Sequence, residues 1–430
     1  MANLQKISRV NFSIACLTVA VTGFFVWWLL QPSSPDQLLE QHASEFVEIA
    51  LGLAWHRELE VDSYTGPQSL DIRQEGSAPP ISELQLMTAG LLTRVKENVA
   101  VLQVDRLRKL EAKIQRLDIV LKSIIGVDTL DFDGEVKSLY ELETGQDLVR
   151  AALPDTANLE ALDQLLPGRG TLSFRVAAFR NQLIIPADKR RAVFEAALNE
   201  CRARTLAHWA LPDTETLDIN WTRDVSAAWH QYDGNFKSTL AVNELSIAYL
   251  PSAIDVACHE AYPGHHAQFV MHEVAGLESG IQLEDTVFLL RTPTSVIREA
   301  AANFGVGLAF PLAERIKFER EVLAPLAGIS FPDEDKYTRF LVLVDTLSES
   351  ITPILREYLL GELSFNTASV RLEREALVSS PSELLLFADE FGAIGVGYQI
   401  VQRRLRQKLA ASDDAWQSLL LAVVDTETRL

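Results

Sequence analysis

Four of the chain's eight histidines lie in the segment CHEAYPGHHAQFVMHE, at residues 258–273. A His-Glu pair followed shortly by another histidine is typical of a helical zinc site, in which two imidazoles bind one ion. The usual spacing, H-E-x-x-H, would need a histidine at position 263, where this chain has Pro263. The segment is therefore either a metal site with altered spacing or a cluster of solvated histidines.

An unbroken helix would not let either possible second histidine join His259 at one ion. Residues four apart on a helix differ by about 40° in direction and about 6 Å in height, which allows their side chains to meet. His265 would be rotated by about 240° from His259, and His266 would lie about 10.5 Å further along the axis. Pro263 and Gly264 break a helix. Looping out two residues there returns His265 to the position of the second ligand, and His266 stays the alternative.

A third ligand is available in the segment SVIREAAANFGVGLAF, at residues 295–310. Its small residues predict a closely packed helix that carries an acid, Glu299. Asn303 lies one turn further on, where a neighbouring polar group could hold a metal-binding carboxylate in place. The alternative interpretation is an ordinary helix with an exposed Glu-Arg pair, and the alanines and glycines around Glu299 argue against it. Tyr232 and Tyr262 are further candidates to face the same cleft.

The segment HEAYPGHHAQ resembles the signature of a bacterial family catalogued as domain of unknown function 885, which is related to the gluzincin metallopeptidases. The family pattern is H-E-x-x-P-G-H, followed some forty residues later by a helix that begins E-G-W-A, and the resemblance covers residues 232–346. It implies that His259, His265 and Glu299 bind one zinc ion. Glu260, beside the first ligand, is then the expected general base.

The chain also departs from the family pattern. Ala300 and Ala301 follow Glu299, where the family usually has Gly-Trp. Asp345 and Thr346 are followed by LSES, where the family commonly has a histidine. A family tyrosine expected in the last third is missing unless Tyr398 takes its place. The resemblance therefore implies metal binding more directly than it implies catalysis.

The elements that must position these residues are predicted to be mainly α-helical. Apolar residues recur at helical spacing in most of the chain after residue 37. The stretches concerned are 37–57, 81–125 (one long helix or a helical pair), 137–153, 187–211, 294–321, 333–360 and 391–411. Residues 217–223 and 238–250, with YDGN between them, predict a short hairpin or strand pair directly before the metal helix. Such strands can pair with an extended substrate backbone.

The first thirty residues predict a membrane anchor. Lys6 and Arg9 precede an uncharged run at 10–30, whose length of about 31 Å as a helix matches a bilayer core. The basic residues predict that residues 1–9 are cytoplasmic, that residues 31–36 form a linker, and that the helical region 37–430 lies outside the cytoplasm, in a bacterial periplasm. A cleaved signal peptide is the alternative, and it would also export the chain.

Composition limits the class of function. The formal charge of −20 argues against nucleic acid as a partner, because phosphate binding needs clustered Lys and Arg. Three cysteines predict no disulfide framework, and Cys258 is predicted to be a small core residue rather than a partner of Cys201. The sequence thus predicts a membrane-anchored zinc hydrolase, of peptides above all, that uses Glu260 as its base. The alternative is a binding protein that keeps the fold, and with it the metal, without hydrolysis.

Overall fold

The computed structural model describes residues 34–97, 102–143, 154–223 and 228–424. As the sequence predicts, these residues are mainly α-helical, with little sheet. The helices are α1 (Pro35–His56), α2 (Ile81–Glu97), α3 (Val104–Ile125), α4 (Phe132–Tyr140), α5 (Thr156–Leu165), α6 (Leu172–Arg180), α7 (Arg190–Leu206), α8 (Leu250–Glu260), α9 (His265–Ser279), α10 (Pro293–Ala309), α11 (Leu312–Phe318), α12 (Ala324–Ala327), α13 (Glu334–Ser348), α14 (Ile351–Leu359), α15 (Phe365–Glu375), α16 (Pro381–Phe391), α17 (Ile394–Ala410) and α18 (Ala415–Val424). The strands are β1 (Val61–Tyr64), β2 (Thr216–Thr222), β3 (Ala228–Gly234), β4 (Lys237–Asn243) and β5 (Val287–Leu289).

The ends of several helices follow from local sequence. The stretch 81–125 forms a helical pair, α2 and α3, and the stretch 137–153 overlaps only the end of α4, its last ten residues lying outside the described part of the chain. The first helix begins at Pro35, inside the predicted linker. Ser34 caps it, because Gln37 N donates to Ser34 Oγ at 3.2 Å and Ser34 N donates to Gln37 Oε1 at 2.8 Å.

The strands before the His-rich segment form the predicted strand pair rather than the predicted hairpin. The two predicted strands are β2 and β4, and they are parallel neighbours rather than a hairpin. A third strand, β3, was missed; it pairs antiparallel with β4 through a tight turn at the predicted YDGN, giving the order β2-β4-β3. A direct hairpin would need antiparallel strands, so the predicted hairpin was wrong, whereas its alternative, a strand pair, is confirmed. A second small sheet pairs β1 with β5, and the sequence did not predict it.

Close helix packing brings two distant parts of the chain together. The helix α10 packs on α8, α17 and α18. Three successive alanines of α10, residues 300–302, are fully buried, and their small size lets the backbones approach. Gly305 faces Pro263 so closely that a Cβ on it would lie 2.8 Å from the proline ring. These contacts press α10 against the break between α8 and α9.

A disulfide ties α7 to α8. Cys201 and Cys258 are both fully buried and are joined, with a Cα–Cα distance of 5.4 Å. The prediction of an unpaired core cysteine at position 258 was therefore wrong. The two residues are 57 positions apart, and the packing of α7 on α8 brings them together. The spacing of the cysteines along the sequence does not predict this packing. The bond fixes α8 one residue before His259.

The predicted anchor at residues 10–30 lies outside the described residues. Within residues 34–97, 102–143, 154–223 and 228–424, no single helix has both the length and the apolar composition needed to cross a bilayer. The helices α16 and α17 have the length and apolar composition of a membrane span only when they are taken together, and the pair is bent by 100°.

Candidate metal centre

The helix carrying the His-Glu pair breaks where the sequence predicts. α8 ends at Glu260 and α9 begins at His265, with a four-residue turn between them. A Cβ on Gly264 would lie 1.7 Å from the carbonyl oxygen of His259, so only glycine fits this close approach. Ala267 N donates to Ala261 O at 3.0 Å, across the turn. The break turns the first residue of α9 back toward the last turn of α8.

His259, His265 and Glu299 converge on one point. Their possible ligand atoms all lie within 4.8 Å of one another. Glu299 Oε1 lies 3.4 Å from His259 Nε2, and Glu299 Oε2 lies 3.2 Å from His265 Nε2. The two imidazole rings meet edge to face, with 4.8 Å between centroids. Each carboxylate oxygen thus faces a different ring.

The charges of the cluster are strongly coupled. Burial by itself would lower the pKa of the His259 imidazole, but the Glu299 carboxylate outweighs it and raises that pKa to about 9. Burial would raise the pKa of Glu299, whereas His259 and His265 hold it well below its ordinary value. Asn303 Nδ2 donates to Glu299 Oε1 at 3.2 Å and to its backbone carbonyl at 3.0 Å. Asn303 therefore orients the carboxylate from the position that the sequence suggested.

A cavity of about 930 Å³ opens over the cluster. Its wall includes Glu260, which directly follows His259 at the end of α8. Tyr398 of α17 lines the same cavity, where a tyrosine was sought from the sequence. Burial, then Glu299 and Asp62, raise the pKa of Tyr398 well above its ordinary value, so its hydroxyl keeps its proton at neutral pH. His230 of β3 also lines the cavity, with its ring stacked on His265 at 6.0 Å between centroids.

The sequence did not indicate the charged residues of the cavity wall, of which Asp62 and Arg298 are two. Asp62 of β1 lines the cavity, and burial, reinforced by Glu299 and Glu260, raises its pKa. Arg298, beside Glu299 on α10, is buried, and its guanidinium lies over the rings of two phenylalanines, at 4.3 and 4.6 Å from their centroids. Burial lowers the pKa of Arg298 to about 10, which leaves it charged at neutral pH. Asp62 lies far from any motif, and Arg298 could not be told from a surface residue.

Three other candidates lie away from the cavity. His266 is fully buried and its Nε2 lies 2.9 Å from Glu215 Oε2. The Tyr262 hydroxyl donates to the same carboxylate oxygen at 2.9 Å. The Tyr232 hydroxyl donates to Glu273. In the described part of the chain, the cavity is not lined by His266, Tyr262 or Tyr232. The structure therefore does not bring these three residues to the cleft, although the sequence suggested that it would.

The cluster has the donor types and the spacing of a zinc site. Two imidazole nitrogens and one carboxylate oxygen are a common catalytic set for zinc. Donors that lie about 2.05 Å from a tetrahedral ion are separated by about 3.3 Å. Glu299 Oε1 lies 3.4 Å from His259 Nε2 and Glu299 Oε2 lies 3.2 Å from His265 Nε2, each close to that value, and one ligand atom from each of the three residues lies within 4.8 Å of the others. The residues present therefore fit a zinc ion.

Comparisons with known proteins give likenesses of fold. No protein-family profile and no curated protein matches the chain, so the resemblance to domain of unknown function 885 stays a prediction. A protein assigned as a lipoprotein from Colwellia psychrerythraea is 11% identical, with 82% of this chain and 69% of that chain covered and a TM-score of 0.49. The M32 carboxypeptidase from Deinococcus radiodurans R1 is 14% identical, with coverages of 91% and 89% and a TM-score of 0.48.

Proposed function

We propose that this protein is a zinc-dependent hydrolase that acts on peptide bonds. The observation that carries the proposal is the convergence of His259, His265 and Glu299, which come from three helices and lie with their ligand atoms within 4.8 Å of one another. A half-buried set of two imidazoles and a carboxylate with a cavity above it is the arrangement of a catalytic rather than a structural zinc site, because three protein ligands leave one position open.

The residues around the cluster have different roles in the proposed hydrolysis. A zinc ion held by the three side chains would lower the pKa of a water in the open position toward 7. Glu260 lies on the cavity wall next to His259, where its carboxylate takes the proton of the attacking water and passes it to the leaving amine. The protonated hydroxyl of Tyr398 is a hydrogen-bond donor for the developing oxyanion.

The cavity suits an extended peptide. Its volume of about 930 Å³ is that of a site for several residues or one drug-sized molecule. Residues 228–230, at the start of the edge strand β3, form part of its wall. Edge strands offer unpaired backbone groups to which an extended substrate can add.

The proposal includes export of the chain and attachment to a membrane through residues 10–30. The disulfide between Cys201 and Cys258 supports export, because disulfides persist in oxidising compartments such as the periplasm. It does not distinguish an anchored protein from a released one. Fractionation of cells, followed by a comparison with a chain that begins at Ser34, separates the two.

A second candidate is a binding protein that holds the metal without hydrolysis. The observation that favours it is the burial of Ala300 and Ala301 in helix packing, at the positions where the related family has Gly-Trp. A screen of a peptide library with the zinc-loaded, the chelated and the reloaded protein tests the proposal. Cleavage that is lost on chelation and restored by zinc supports the hydrolase. Stoichiometric zinc without cleavage of any peptide supports the binding protein instead.

A further inference from the structure

A buried chain of hydrogen bonds runs from Glu215 to the wall of the cavity. Glu215 Oε2 lies 2.9 Å from His266 Nε2, His266 Nδ1 lies 2.7 Å from Ser238 Oγ, and Ser238 Oγ lies 2.9 Å from His230 Nε2. Ser238 is 1% exposed and His266 is 0% exposed, so water does not compete for these contacts. The last member, His230, lines the cavity that contains the metal cluster.

The direction of donation is set at the Glu215 end. A carboxylate only accepts hydrogen bonds, so Nε2 of His266 donates to it. Glu215 also accepts from Tyr262 at 2.9 Å, and from Arg202 Nε and Nη2 at 3.0 and 2.6 Å. The guanidinium already balances the charge of the carboxylate. A second cation on the fully buried His266 ring would have no further anion to balance it, which favours the neutral ring.

The single proton of the Ser238 hydroxyl then fixes the rest of the chain. A neutral His266 that donates from Nε2 has a bare Nδ1, which accepts the Ser238 proton. The serine oxygen is left as an acceptor, and His230 Nε2 must donate to it. A neutral His230 with its proton on Nε2 has a bare Nδ1.

This bare nitrogen belongs to a ring that lines the cavity. Among the described residues, the ring of His230 makes its hydrogen bond through Nε2, and the ring forms part of the cavity wall beside His265. We propose that Glu215, His266 and Ser238 hold His230 so that its Nδ1 accepts a hydrogen bond from a backbone N–H of a substrate lying over the metal cluster. His230 is then a substrate-binding residue, and the other three are positioning residues. The identity of the donor as a peptide N–H rests on the proposed function.

A packing role alone does not account for this chain. Each buried polar group costs desolvation free energy, and apolar side chains of similar volume would fill the same space without that cost. The polar chain ends at His230, whose ring stacks on Phe269 at 5.6 Å between centroids and also lines the cavity. Fixing the tautomer and the orientation of His230 is what this arrangement achieves and an apolar one would not.

The first experiment reads the tautomer directly, in the metal-free full-length protein. Nitrogen-15 NMR of histidine-labelled protein distinguishes a bare ring nitrogen from a protonated one, and the signals missing from His230→Gln identify His230. We expect Nε2 of His230 to be protonated and Nδ1 to be bare, and we expect Ser238→Ala to give a mixture of tautomers. Thr88→Val is the matched control, because it removes a fully buried hydroxyl away from the cavity wall. A wild-type His230 protonated on Nδ1, or a tautomer that Ser238→Ala leaves unchanged, would overturn the proposal.

The second experiment tests the substrate contact. Each backbone N–H of a cleaved peptide is replaced in turn by an ester oxygen, and kcat/KM is compared for wild type and His230→Gln. We expect His230→Gln to lower kcat/KM for the peptide by roughly 3- to 10-fold relative to wild type, as for one lost hydrogen bond. For the one ester in which the N–H that donates to His230 is replaced, we expect wild type and His230→Gln to have the same kcat/KM. Additive losses at every position contradict the contact. If no peptide is cleaved, the proposed function fails, and the NMR experiment still decides the inference about the tautomer.

Discussion

The carboxylate of Glu299 lies 3.2 Å from Nε2 of His265, although the two residues are on different helices and 34 positions apart. Its other oxygen faces His259 at 3.4 Å. In the metal-free protein this carboxylate is the counter-charge that raises the pKa of the His259 imidazole. A zinc ion would take over that role, and it must therefore compete with protons for the same three side chains.

Zinc affinity should depend on pH for this reason. The pKa of His259 is raised to about 9, so below pH 9 a proton must leave before the ring can bind zinc. We expect the apparent affinity to rise about tenfold per pH unit from pH 7 and to level off near pH 9, as for release of one proton. Competition with a chelator of known pH dependence measures this. An affinity that is constant between pH 7 and 9 would contradict the coupling.

The same coupling acts on the stability of the metal-free protein, with the opposite trend. A group whose pKa is higher in the folded state stabilises that state fully below its unfolded pKa, here 6.5, and the contribution is lost as the pH rises through 9. Thermal unfolding of the metal-free protein should therefore occur at lower temperature at pH 9 than at pH 6.5. His259→Asn is the control, because it removes the titrating group and should reduce the difference.

The two adjacent histidines should respond differently to substitution. His265→Ala removes one of the three converging side chains, so zinc should be lost from the protein after dialysis. His266→Ala should leave zinc bound but lower the free energy of unfolding by about 1–3 kcal/mol, because the buried Glu215 and Ser238 lose a partner. Zinc analysis and chemical denaturation of both variants measure the two effects. Equal loss of zinc from both would contradict the geometry of the break.

The turn between α8 and α9 should tolerate no side chain at Gly264. A Cβ there would lie 1.7 Å from the His259 carbonyl oxygen, so Gly264→Ala must displace the end of α8 and with it a zinc ligand. We expect zinc affinity to fall by at least tenfold. Gly307→Ala is the matched control, because a Cβ there meets nothing within 4 Å in the interior of α10 and should stabilise the helix by about 0.5–1 kcal/mol. Unchanged zinc affinity in Gly264→Ala would show that the turn does not set the ligand geometry.

The disulfide should stabilise the folded protein, in addition to indicating an oxidising compartment. Its residues are 57 positions apart, and closing a loop of that length stabilises a protein by about 4 kcal/mol in the chain-entropy account. The double variant Cys201→Ala with Cys258→Ala should lose stability of that order on chemical denaturation. A reductant should destabilise the wild type and leave the double variant unchanged. A wild type that is insensitive to reduction of this bond would contradict the expectation.

The sequence predicted the approach of His265 to His259 because that part of the geometry is local. The spacing of His259 and His265, with Pro263 and Gly264 between them, specifies a break whatever the rest of the fold does. The small residues around Glu299 indicated the close packing that brings α10 to that break. The mainly helical fold followed in the same way from hydrophobic periodicity.

The misses concern contacts that spacing does not encode. The strand β3 alternates buried and exposed residues, but its buried residues include His230, which reads as polar in the sequence. Without β3, the neighbouring strands β2 and β4 looked like a hairpin. Asp62 and Glu215 reach their partners only through tertiary packing, and no motif surrounds either residue.

The most direct test of the proposed hydrolysis compares two glutamate variants at measured zinc occupancy. Glu260→Gln keeps size and hydrogen bonding but removes the basic carboxylate from the cavity wall. We expect it to bind zinc as the wild type does and to cleave peptides about 10²–10⁴-fold more slowly. Glu299→Gln, in contrast, should lose zinc together with activity. If Glu260→Gln at full zinc occupancy cleaves peptides at the wild-type rate, the proposed mechanism is wrong.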